Sequence, residues 1–106
     1  MNSKLQILIE EYNTNSKTPS NHGEEWKLID TKERLFNQGK VTLVLNKYNE
    51  YEVVISIEKS GKLIFCTNGI IIDMDLYNKI VNDLLLKSFD EFINEYYELL
   101  SNNIKN

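Results

Sequence analysis

Between Val41 and Met74 the apolar residues fall into four short runs rich in Val, Ile, Leu and aromatic side chains, separated by polar clusters. Tyr51, Val53, Ile55 and Ile57 alternate with Glu52, Val54, Ser56 and Glu58, the period-two pattern of a half-buried strand. Val41, Leu43 and Leu45 alternate with Thr42, Val44 and Asn46 in the same way. The segment KYNE and the pair Ser60-Gly61 mark tight turns. Asn68-Gly69 is the strongest hairpin signal in the chain, because both central residues of a type I′ turn need positive φ. It predicts that residues 70–74 fold back on the strand over residues 62–67.

The flanks carry a different period. Leu5, Leu8, Ile9 and Tyr12 recur at helical intervals behind Ser3 and Gln6, which have capping-box spacing, and predict a short helix over residues 4–13. Residues 13–25, NTNSKTPSNHGEE, have no apolar period and read as a flexible loop. Residues 26–36 are ambiguous; an edge strand near residues 33–37 is favoured, followed by a turn at Gln38-Gly39. From Asp75 onward Ile80, Val81, Leu84, Leu85, Phe89, Phe92, Ile93, Tyr96 and Leu100 keep to three- and four-residue steps. Asp73 or Asp75 is the expected N-cap. Ser88 and Glu91 have a second capping-box spacing, so either one long helix or two helices meeting at Lys87-Ser88 fit the pattern, with residues 102–106 fraying.

The expected fold is therefore α+β, in one domain over residues 1–106. A short N-terminal helix precedes an antiparallel meander of four to five strands, and C-terminal helices cover one sheet face. The helices are needed there: IFCTNGIII, low in charge and rich in β-formers, would aggregate if left on an exposed edge.

Length and composition narrow the function classes. A chain of 106 residues can bury a core without a metal or disulfide staple. The lone Cys66 sits in an apolar run and reads as a small buried hydrophobe. The N-terminus has two glutamates and no basic leader, and no apolar run reaches the ~20 residues of a membrane span, so a cytoplasmic protein without membrane contact is expected. The net charge of −4 argues against direct nucleic-acid binding and favours a partner protein with a basic surface. The chain has no alanine, one arginine and many Asn, Ile and Tyr, a bias of AT-rich coding that fits a low-GC bacterium or one of its phages or plasmids.

No phosphate-binding glycine loop, zinc-protease or hydrolase motif, cysteine pair or second histidine is present, so no enzyme class, cofactor or metal is expected. His22 stands alone in the loop, and helix capping accounts for the Asp73 and Asp75 pair. The residues singled out for partner binding are Asp90, Glu91, Glu95 and Glu98. Glu91, Glu95 and Glu98 follow i, i+4, i+7 spacing, which aligns them on one helix face without an intervening base. Tyr97 and Tyr48 are expected to keep a face in solvent and add aromatic contact area. A second reading, a small-molecule or nucleotide binder, places Trp26 and Arg34 at the rim of a pocket between sheet and helices. An open sheet edge would allow a homodimer. The leading expectation is a small acidic, non-catalytic protein-binding module. Encoded by a phage or mobile element, it would inhibit another macromolecule as an anti-defence protein does, or act as an immunity-type protein.

Overall fold

The structure, a computed structural model, describes residues 3–14 and 27–105. In chain order these form α1 (Ser3–Thr14), β1 (Lys27–Phe36), β2 (Gly39–Lys47), β3 (Tyr51–Lys59), β4 (Lys62–Cys66), β5 (Ile70–Ile71), α2 (Met74–Leu86), α3 (Phe89–Glu95) and α4 (Tyr97–Ser101). The α+β class, the antiparallel meander β1-β2-β3-β4 and the helical flanks agree with the reading of the sequence. Residues 15–26, including most of the expected loop, His22 and Trp26, lie outside the described part. Asn13 and Thr14, expected to begin that loop, still belong to α1.

Strict alternation builds the centre. Val41 faces Ile57, Leu43 faces Ile55 and Leu45 faces Val53 across the β2–β3 ladder, and all six are fully buried. Successive side chains leave a strand on opposite faces, so this choice puts Thr42, Val44, Asn46, Val54 and Ser56 on the other side, where they are half-buried. The helices close the first face. Leu5, Leu8 and Tyr12 of α1 share one core with Tyr77, Ile80 and Leu84 of α2, Phe92 and Ile93 of α3 and Leu100 of α4. Fully burying each such aliphatic or aromatic side chain contributes about 1.5–3 kcal/mol, which is why the amphipathic helices stay docked.

Four expectations are corrected. The edge strand near residues 33–37 is the last part of β1, which runs the length of β2 with one irregularity between Leu28 and Asp30. Ladder pairing overrides the charged segment DTKE, whose side chains project from the faces and leave the backbone free to bond. Second, Asn68-Gly69 makes no I′ hairpin. Gly69 is not at positive φ, and β5 pairs with β3, so β4 and β5 run in the same direction along one neighbour. The paired positive φ values occur at Ser60 and Gly61, at 54° and 77°, between β3 and β4.

The third correction concerns the helical tail, which is three helices. Lys87 and Tyr96 leave helical geometry, at φ −88°, ψ 159° and φ −105°, ψ 14°. Fourth, residues 102–105 do not fray. Ile104 bridges Thr67, the Lys105 N–H donates to the Cys66 carbonyl at 3.0 Å, and the Asn68 N–H donates to the Asn103 carbonyl at 2.8 Å. The tail thus covers the backbone between β4 and β5, the segment that would otherwise be an open edge.

Candidate functional site

Asp90, Glu91, Glu95 and Glu98 are all exposed, on α3 and α4. Their spacing assumed one helix, and the break at Tyr96 puts Glu98 on a separate one. Phe89, Phe92 and Ile93 turn inward, which forces the intervening acids outward. Each carboxylate has its own surroundings. Glu91 closes a capping box: its N–H donates to Ser88 Oγ at 3.2 Å, and its Oε1 accepts from the Ser88 N–H at 3.0 Å. That backbone donor holds the Glu91 carboxyl below the usual carboxylate range. Glu91 is therefore structural as well as exposed, because one spacing served both the cap and the stripe.

Glu95 lies 3.7 Å from Lys79 Nζ, on α2. Lys79 also donates to Asp83 Oδ2 at 3.1 Å and to the Tyr96 hydroxyl at 3.0 Å, and the Tyr96 hydroxyl donates to Asp83. This cluster fastens the acidic layer to α2. The partners shift one another: Tyr96 hydrogen bonding holds the Asp83 carboxyl low, and burial followed by Asp83 pushes the Tyr96 hydroxyl up to about 12. Lys79 is raised by the same hydroxyl and carboxylate. The reading of the sequence passed over Lys79 and Asp83, although their i, i+4 spacing on a helix is itself a pairing signal. Glu98 makes no ion pair among the described residues.

Tyr97 is half-buried, with Lys4 Nζ 5.2 Å from its ring centroid, and Tyr48 is exposed in the turn between β2 and β3. Arg34 turns toward a helix end: its Nη1 donates to the carbonyls of Leu84, Leu85 and Lys87 at 3.0, 2.9 and 3.0 Å. The carbonyls at the C-terminal end of α2 lack intrahelical partners and carry the negative end of the helix dipole, so they draw in the one arginine. Its guanidinium also stacks 4.4 Å from the Phe36 ring centroid.

Two further surfaces follow from the tertiary structure. On the sheet face away from the helices, cross-strand pairing aligns Leu28, Asn46, Glu52 and Ile71 in one rank and Leu35, Lys40, Glu58 and Leu63 in another. The four aliphatic corners are exposed, Leu35 at 78 %. Lys40 is held there between Glu58 at 3.2 Å and Glu33 at 3.8 Å. The second surface is a cleft of about 420 Å³ where α1, the β1–β2 turn and the start of α3 meet.

Among the described residues no group of three or more His, Cys, Asp or Glu side chains is placed to hold a metal ion. No described helix is long and apolar enough to cross a membrane. Comparison with protein-family models, with curated proteins and with solved structures gives no match.

Proposed function

We propose that this chain is a non-catalytic protein-binding module that occupies a basic surface on another macromolecule. The observation that supports this reading is the acidic exterior of α3 and α4, where Asp90, Glu91, Glu95 and Glu98 are exposed. Lys79 pairs with Glu95 of that group, at 3.7 Å. A partner's Lys and Arg side chains would relieve the repulsion among these acids and steer the encounter, with an effect that fades as salt rises. Tyr97, half-exposed beside Glu98, adds an aromatic contact of the type that dominates interface energies. The AT-rich coding bias extends the proposal to an inhibitor from a phage or mobile element directed at a host protein, with an immunity protein against a toxin as its near neighbour.

The test is capture of partners from a lysate of low-GC bacterial cells at low salt, with the wild type beside an Asp90→Lys, Glu95→Lys, Glu98→Lys variant. Glu91 stays native because its carboxylate caps α3. The expected outcome is a partner retained by the wild type, released by added salt and absent with the variant, whose circular dichroism shows it still folded. Equal capture by both proteins removes this surface from the proposal. Absence of any salt-sensitive partner of the wild type rejects the proposal itself.

A further inference from the structure

Five elements converge at one end of the sheet and leave the 420 Å³ cleft, a volume within the range of small-molecule sites. Its walls are Leu5 and Ile9 of α1, Ile64 of β4 and Phe89 of α3. Ile64 is there because the β3–β4 ladder slips: Ile57 faces Phe65 while Glu58 faces Leu63, so Ile64 is the extra residue of a bulge. Bulges re-aim side chains in this way. Its rim is polar, and its chemistry is specific. Gln6, Asn37 and Gln38 bring three carboxamides, each of which offers both donors and an acceptor. Gln6 Nε2 donates to Glu10 at 3.2 Å, which fixes that amide. Lys59 and Asp90 add one charge of each sign, so the rim carries no net charge.

We infer that this cleft binds a small planar heterocycle of nucleobase type, uncharged and bearing both donors and acceptors on one edge. Apolar walls take the ring faces, while the carboxamides of Asn37 and Gln38 read the edge. A rim of balanced charge suits a neutral ligand, and a purely apolar one would leave the hydrogen-bonding capacity of the carboxamides unused. The inference does not rest on the protein-binding reading, although the two sites share Asp90.

The experiment is a titration of the isotope-labelled full chain with adenosine, guanosine, cytidine and uridine in turn, followed by amide ¹H–¹⁵N spectra. At least one nucleoside should give saturable shifts at the backbone amides of Gln38, Lys59 and Phe89 and at the Asn37 and Gln38 side-chain amides. Ile9→Trp, which fills the cleft, should weaken that binding tenfold or more. Gln38→Ala, in an exposed turn where the fold tolerates it, should weaken it several-fold with the rest of the spectrum unchanged. The inference is overturned if none of the four gives saturable shifts, if the shifts lie on the opposite sheet face, or if the Gln38→Ala titration superimposes on the wild type.

Discussion

The Tyr96 hydroxyl donates its proton to the Asp83 carboxylate, and this contact joins α3 to α2 across a break that local sequence alone would leave hinged. Burial and that carboxylate raise the Tyr96 pKa to about 12, above the ordinary value of 10.0 that the unfolded chain retains. A group raised on folding contributes stability that is whole below its unfolded pKa and is lost as pH climbs through the folded one. Stability should thus fall between about pH 10 and about pH 12, and Tyr96→Phe should fall less steeply over that window. Urea unfolding of both proteins at stepped pH measures it; parallel curves would remove Tyr96 as the cause.

The opposite sign governs the acid limb. Glu91 and Asp83 are both depressed, so their contribution is whole above the usual carboxylate range and is lost as pH falls through the folded values. Ser88→Ala deletes the Oγ that accepts from the Glu91 N–H but keeps the backbone N–H that donates to the Glu91 carboxylate, and should cost about 1 kcal/mol near neutrality. With that backbone donor in place the Glu91 titration, followed by carboxyl NMR, should stay below its ordinary value. A Glu91 titration at its ordinary value in the variant would show that the backbone donor does not set it.

Arg34 reaches fifty residues along the chain to the C-terminal end of α2. Its three carbonyl acceptors are otherwise helix-end groups, and bonds to a charged donor contribute more than neutral ones. Arg34→Ala should lower unfolding free energy by about 2 kcal/mol and speed hydrogen exchange in the last turn of α2. Arg34→Lys keeps the charge but loses the planar stacking on Phe36, so about half of the loss should remain. If Arg34→Lys matches the wild type, charge alone carries the effect.

Ile104 is only 8 % exposed although it stands near the chain end. Ile104→Ala should cost about 2 kcal/mol, at the low end for a buried isoleucine because a terminal segment relaxes easily. The same variant should weaken protection of the Lys105 and Asn68 amides, which bond to Cys66 and Asn103 across the bridge. Native-like protection at both amides would show that the backbone bridge stands without its side chain.

Much of the architecture is written in local pattern. The alternation from Val41 to Ile57 needs no long-range information, since a period of two on an apolar face has one way to be buried. Asp73 and Ser88 cap their helices where the sequence places them, because an N-cap reads only the three residues that follow it. The outward position of Asp90, Glu91, Glu95 and Glu98 follows likewise from the inward pull of Phe89, Phe92 and Ile93.

What the sequence by itself determined, then, is the central strands, the helical character of the flanks and which of their faces seek the core. Tertiary structure alone decided the partners. Asn68-Gly69 has the composition of a hairpin, yet Ile70 finds its ladder on Val53 because the docked tail at Ile104 and the Thr67 hydroxyl, bonded to the Ile55 N–H, keep the chain running straight. Arg34 bonds to carbonyls, groups that every residue carries and no motif can mark. The cleft draws on five elements, so no segment carries its signature. Propensity and periodicity act over a few residues, whereas free backbone groups and leftover volume exist only once distant segments have met.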